Sequence, residues 1–566
     1  MAKGRKFIHQ LYISVNGVLL ARAVMDELFR VEVDTDLHLP GMAALQLHDR
    51  TVDLTSTGPF SLGAELKILV GEGDRLQHTP IFIGQITSIE PDFGEGIIVI
   101  LTVRAYDFSH RLHRGTHIKA YVQMSDSDIA SAIAGDVGLK ADVDSSGPTY
   151  PHVYQDGQTH MEFLRSRARR IGYDCYVLEK TLHFKKASGR KGKTLKLDYG
   201  SQLRSFRPVF TLNEQVSEVQ VKGWNPSTKR EVIGRATSSS AAPKREENTT
   251  GAQLAQAFGQ ASELAVRAAV DTQAEADVVA QALLDEHAGA SVEAEGMCYG
   301  IPDLRAGCTV ELSSLGKRFN GRYQVTSATH IWDIERDYVT VFHVSGRRDG
   351  TLRGLLVDEP AGPRPWLAMT GIVTNNNDPD ALGRVKVKFP WLTVDIESAW
   401  ARVVAVGAGS KRGLCVLPEV NDEVLVIFEQ GDIDRPLVIG GLWNGLDAPP
   451  KPSNQVVVSG KVVQRLFVTR TGHQLVFSDE NPATIRLQSV GGQVVLIDDD
   501  AKKIEIRTAG GHTVVLDDNG RVVKIESAGS INIQAQQNLS IKANGNISLE
   551  ASGVTTVKGA TVQLNP

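Results

Sequence analysis

Histidine recurs at one place in a repeated unit near the C-terminal end of the chain. Gly472-His-Gln-Leu-Val-Phe, Gly492-Gln-Val-Val-Leu-Ile-Asp-Asp and Gly511-His-Thr-Val-Val-Leu-Asp-Asp follow one another at intervals of 20 and 19 residues. On a three-fold axis His473 or His512 would be triplicated, and three converging imidazoles could hold a metal ion or an anion. The reading the sequence favours is plainer: each histidine lies outward beside its glycine turn. His110 and His113 flank Arg111 and Leu112 with no further ligands nearby, so no metal site is expected there. Gly189-Arg-Lys-Gly-Lys-Thr194 has the end of a phosphate loop, but the required first glycine falls at Ala187, and strand-like runs flank it on both sides. Asp517-Asp518 sits at a turn of the repeat, where solvation accounts for it. No G-x-S-x-G or H-E-x-x-H occurs, and no cysteine–histidine nucleophile pair is evident. The expectation is a chain with no catalytic residues, no metal and no cofactor.

Attention therefore moves to the elements. The 566 residues carry 61 Lys and Arg against 66 Asp and Glu, a net charge of −5 that gives no sign of a nucleic-acid partner. The length predicts several domains. Cys175, Cys298, Cys308 and Cys415 are scattered without a C-x-x-C pair and read as reduced structural thiols. The N-terminus alternates after Phe7 instead of forming a continuous apolar core, so no signal peptide is expected, and assembly in the cytoplasm is.

From Ser530 the period shortens to eight: SINIQAQQ, NLSIKANG, NISLEASG, VTTVKGAT and the stub VQLNP. Ile533, Ile541, Leu549 and Val557 share one phase, with Ile531, Leu539 and Ile547 two residues earlier. Apolar residues at every second position put one face of a strand inward. Eight residues hold one short strand and a turn, too little for a closed single-chain coil, so a lone chain would leave its edges and apolar face in water. Such repeats bury a core by stacking. Three copies wound about one axis would do so, with these seven residues as the needle core. Beyond Glu526 the only charged side chains are Lys542, Glu550 and Lys558, so repulsion among copies stays small.

Upstream, residues 1–350 alternate strands with helices. Ser125-Asp-Ser-Asp128 caps a helix, Thr159–Ile171 forms a second that carries Arg165, Arg167, Arg169 and Arg170 on a solvated face, and Thr272-Gln-Ala-Glu275 is a capping box opening a third. Two rounds of sheet with interposed helices predict two barrel-like halves. Residues 351–365 form a linker, 366–445 hold five short strands that fit an OB-type barrel, 446–471 are a second linker and needle entry, and 472–566 form the spike. The fold class is mainly β with some α.

The layout resembles a known family. Met369–Trp391 (MTGIVTNNNDPDALGRVKVKFPW) and Ala401–Gly445 resemble the OB domain of valine-glycine-repeat (VgrG) spike proteins of contractile injection systems. RAYDFSHRLHRG, MSDSDIASAIA and Gly300–Asp333 resemble the hub, the phage late-control protein D family. The resemblance implies a homotrimeric central spike of a contractile injection system, of the type VI secretion kind or a phage-like tail. Its hub would meet inner tube and baseplate proteins, and its needle would touch the target membrane only transiently, ejected outside the cell on firing. It also implies a proline-alanine-alanine-arginine repeat (PAAR) tip protein docked on Gln563, Leu564, Asn565 and Pro566. A receptor- or polysaccharide-binding tail fibre is the first alternative and a spike with a cryptic hydrolase the second. The short segment between barrel and needle leaves no room for an inserted lysozyme domain, and no effector domain is expected after Pro566.

Overall fold

The computed structural model describes residues 9–564 except 73–77, 96–97, 188–192, 213, 248, 260, 267–268, 335, 347–366 and 394. The linker expected at 351–365, most of the Gly189–Thr194 run, and Asn565 and Pro566 lie outside the described residues. The chain divides into two compact units, Met1–Leu442 and Trp443–Pro566.

The first unit is organised by an eleven-stranded sheet. Its early strands include Leu28–Asp36, Met42–Asp49, Glu65–Glu72, His78–Asp92 and Val99–Asp107. Its late ones are Leu203–Phe210, Val292–Tyr299, Ser327–Asp333 and Arg336–Val344. The two groups meet where Ser327–Asp333 runs antiparallel to Leu28–Asp36, with His330 opposite Val33. Half-barrel sheets from distant parts of the chain thus share one ladder. Strict alternation explains the inner face: Ala43, Leu45 and Leu47 are buried on one strand and Leu101, Val103 and Ala105 on its neighbour.

Two helices interrupt the strands, and their starts follow from side-chain chemistry. Ser125 and Asp128 form a reciprocal capping box before Asp126–Asp136, and Thr159 and Glu162 do the same before His160–Arg170. The third helix, Gln273–Gly289, is only half capped. Thr272 Oγ1 accepts from the Glu275 N–H at 3.3 Å, but the Glu275 carboxylate bonds Arg170 instead of returning to Thr272. A charge-assisted bond outcompetes one to a neutral amide.

Ala368–Asn375, Lys386–Lys388, Arg402–Val403, Glu423–Phe428 and Pro436–Gly441 make the five-stranded sheet of the OB-type barrel. Val373, Val387, Phe389, Val424, Val426 and Val438 fill it, and Tyr154 from the preceding lobe joins that cluster.

In the second unit, seven five-residue strands between Gln464 and Glu526 form one antiparallel meander in chain order. Among the described residues from Ser527 to Leu564 no strand forms within the single chain.

Candidate functional site

The meander owes its regularity to its turns. Thr469, Ser489 and Thr508 each accept a hydrogen bond on the side-chain oxygen from the backbone N–H four residues on, at His473, Gln493 and His512, all at 3.1 Å. The glycine before each of those residues has φ between +83° and +97°, the left-handed region that a Cβ disfavours. The side chain that follows the glycine then reaches the next turn. His473 Nδ1 accepts from the Val490 N–H at 3.3 Å, Gln493 Oε1 from the Ala509 N–H at 3.1 Å, and His512 Nδ1 lies 2.8 Å from Ser527 Oγ. Histidine and glutamine alternate here because both can offer an acceptor at the same reach. His473 and His512 are therefore exposed turn residues, each bonded to the succeeding turn.

With the turns fixed, the register sorts the side chains by face. Phe467, Leu475, Leu487, Val495, Ile506, Val514 and Ile525 stand directly opposite one another from strand to strand. Two residues away along each strand, Phe477, Ile485, Ile497, Ile504, Leu516 and Val523 form a second ladder, opened by Arg465. Both lie on one face because side chains alternate along a strand. Apart from Arg465 on the first strand the face is apolar, yet Leu487 is 55% exposed and Ile525 59%. The opposite face is mixed: it carries Arg486, the Lys503–Glu505–Arg507 pairs and Lys524–Glu526. The expected needle core continues the pattern without cover. Ile531, Ile533, Leu539, Ile541, Ile547, Leu549 and Val557 are 53–73% exposed in the single chain. Of the expected tip-docking residues, Gln563 and Leu564 are exposed.

A second concentration of charge lies inside the first unit, where the loop before Pro436 meets the helical lobe. Arg170 Nη2 donates to Glu275 Oε1 at 2.7 Å, and Arg435 points its guanidinium nitrogens at Asp271, Glu275 and Asp432, each at 3.5 Å. His152 Nδ1 lies 3.0 Å from Asp434, and Arg167 Nε donates to the buried Asp126 at 2.6 Å. The arginines expected on a solvated helix face are thus partly internal: Arg167 and Arg170 are turned into buried ion pairs, and Arg169 pairs with Glu286. Helical periodicity splits them into two pairs, Arg165 with Arg169 and Arg167 with Arg170; the acidic residues that draw Arg167 and Arg170 inward are remote in sequence and left no local signal. Burial, reinforced by Asp434, pushes the Asp432 carboxyl up to about 6. Asp107, which accepts from the N–H groups of Ser109 and Gly41, is likewise pushed up to about 6 by burial.

His110 Nε2 lies 3.1 Å from Gln85 Oε1, and burial holds the His113 imidazole down to about 4. Among the described residues no group of three or more His, Cys, Asp or Glu is placed to hold a metal ion. Cys175, Cys298 and Cys308 are buried and Cys415 is exposed, all as free thiols. No described helix is long and apolar enough to cross a membrane.

Comparison with known proteins fits this architecture. Residues 6–333, more than half of the chain, match the family model described as the Alg8 N-terminal domain. The chain belongs to that family. Residues 369–443 match the type VI secretion system/phage-baseplate injector OB domain, the segment that forms the five-stranded barrel. The chain is 39% identical over 75 residues to the type VI secretion system spike protein VgrG3 of Vibrio cholerae, covering 12% of this chain and 7% of that protein. It is 36% identical over 75 residues to the spike protein VgrG2a of Pseudomonas aeruginosa, covering 12% of this chain and 9% of that one. The matches therefore span less than a tenth of either relative's length. In fold, the chain is similar to the lidded Francisella PdpA–VgrG complex structure, with a TM-score of 0.54 at 10% identity, over 90% of this chain and 81% of that one. The injector barrel is thus the segment in which the chain is similar in sequence to VgrG spike proteins, and the likeness in fold extends over most of its length.

Proposed function

We propose that this family member is the central spike of a contractile injection system or phage-like tail, working as a homotrimer without an active site. The observation that carries the reading is the one-sided shaft. A single sheet with an apolar face running from Phe467 to Ile525 and two free edges is not a stable end state in water. Three such sheets, apolar faces inward about an axis, would enclose both ladders, and the octapeptide strands beyond Ser530 would interwind to continue the same core. The spike proteins among the relatives support the role, and the fold likeness supports the architecture.

In this reading the hub region meets inner tube and baseplate proteins, and the needle meets the target envelope only when the particle fires. A PAAR-type tip protein docks on Gln563 to Pro566. The protein is assembled in the cytoplasm and ejected. Work is done by sheath contraction and transmitted along a strand ladder.

The test is the mass of the purified full chain by light scattering, beside a truncation ending at Asn454. A full-length mass near three times 61.4 kDa, falling to a monomer on truncation, supports the shaft as the trimerising element. A full-length monomer with ordered β signal overturns it.

A further inference from the structure

Beside the 3-10 helix Phe108–His113 opens a cleft of about 430 Å³ whose lining holds two guanidinium groups, Arg111 and Arg114, that no carboxylate of the cleft neutralises. Arg111, Arg114, His117, Lys119 and His160 line it, against the single carboxylate of Asp136. That carboxylate is already taken, 2.8 Å from Lys119 Nζ. Arg111 is held in place without an acid: Nε donates to Gln85 Oε1 at 3.0 Å, Nη1 donates to the Val137 carbonyl at 3.5 Å, and the guanidinium lies 4.8 Å over the Phe108 ring. Arg114 is exposed and has no carboxylate partner among the described residues. His117 and His160 stack face to face, ring centroids 3.7 Å apart and 9° from parallel.

Burial dominates the neighbouring imidazoles, with nearby charge second. His160 is held down to about 4 by burial and then by His117, against the opposing pull of Asp136. His110 is lowered by burial and then by Arg111 and Arg114. A guanidinium fixed by neutral acceptors keeps its charge-assisted donors unused, and preorganised donors in a concave, cation-lined site favour an anion. We infer that this cleft binds an oxyanion, a phosphate or carboxylate group, with Arg111 and Arg114 as its principal donors and the His117–His160 stack as its floor. None of these residues lies on the shaft, so the inference stands apart from trimerisation.

Equilibrium dialysis of the full chain against radiolabelled inorganic phosphate, at constant ionic strength, tests it. Anisotropy of a fluorescein-labelled tetraglutamate peptide under the same conditions forms the second arm. Saturable uptake of one phosphate or one peptide per chain is expected, and which arm responds identifies the source of the oxyanion. Arg114→Gln should weaken that uptake at least fivefold, and Arg111→Gln with Arg114→Gln at least twentyfold. Lys411→Gln, a surface change elsewhere, should leave it unmoved. Arg114 makes no described ion pair, so its variant is expected to fold; a melting curve matching the parent's checks this. No saturable uptake in either arm, or equal uptake by the parent and the Arg114→Gln variant, overturns the inference.

Discussion

Arg170 donates to Glu275 at 2.7 Å, and both side chains are only 8% exposed. The bond joins the helix His160–Arg170 to the helix Gln273–Gly289, and Arg435, from the loop before the last barrel strand, stands 3.5 Å from the same carboxylate. One buried anion thus ties the helical lobe to the barrel.

Removing one partner from such a pair strands the other charge in a low-dielectric setting, at a cost of about 3–5 kcal/mol, whereas replacing both with apolar groups is often nearly neutral. Without Arg170 the Glu275 carboxylate keeps Arg435, whereas without Glu275 the buried Arg170 loses its carboxylate; Glu275→Leu should therefore lower the melting temperature of the first unit sharply, and Arg170→Met with Glu275→Leu should recover most of the loss. A small effect of Glu275→Leu alone, under about 1 kcal/mol in denaturant titration, would show that water reaches the pair.

Asp432 gives a pH dependence whose sign is fixed by the direction of its shift. Its ordinary value is 3.8 and the fold holds it near 6, so between about pH 4 and 6 the native state keeps a proton that the unfolded chain has lost. Its contribution to stability therefore falls as pH rises through that window and is lowest above pH 6. Asp107 acts in the same direction. His113, His160 and His330, held down to about 4, act oppositely and lose stability as pH falls from 6.5. The whole-protein profile is a sum, so the comparison must be with a variant. Asp432→Asn should match the parent near pH 4 and exceed it above pH 6, by on the order of 1–3 kcal/mol. Parallel profiles for parent and variant across pH 4–7 would contradict the assignment.

Much of this was legible in the sequence for physical reasons. The alternation of Glu423–Phe428 and the two capping boxes are local signals, and the strands and helix starts lie where those signals put them. Alternation by two was read from Ser530 on, where no strand forms among the described residues of the single chain, while the one-sidedness of the meander, which follows the same period, went unread. What else escaped was non-local. Nothing near Arg170 in sequence announces Glu275, so helical patterning alone put the arginine in water. Nothing near Thr272 tells that Glu275 will be drawn away from its cap. The cleft beside Phe108–His113 collects side chains from several separate elements, and no spacing rule links them.

The thiols offer a direct check on burial. Burial pushes Cys175 and Cys298 up to about 12 and Cys308 up to about 11, while Cys415 is exposed. Since the thiolate is the reactive form, iodoacetamide at pH 7.5 should modify one cysteine per native chain, mapped to Cys415 by peptide mass. Denaturation should bring the count to the four cysteines of the sequence. Fast native labelling of Cys298 would mean that the eleven-stranded sheet opens readily, and of Cys308 that the core beside the strand Thr309–Ser313 does.

The sharpest prediction sets a single chain against an assembly. In the lone chain Leu487 is 55% exposed, and a polar substitution at so open a position ordinarily changes stability by no more than about 0.5 kcal/mol. If the apolar ladders face an axis shared by three copies, the same change places three carboxylates in a closed core, where unpaired charges are severely penalised. Leu487→Asp should then leave the first unit's melting unchanged yet convert the trimer to monomer by light scattering. Arg486→Ser, one residue away on the opposite face, should remain trimeric. A trimeric Leu487→Asp variant would show that the ladder face is not the interior. A monomeric Arg486→Ser variant beside it would place the contacts on the mixed face instead.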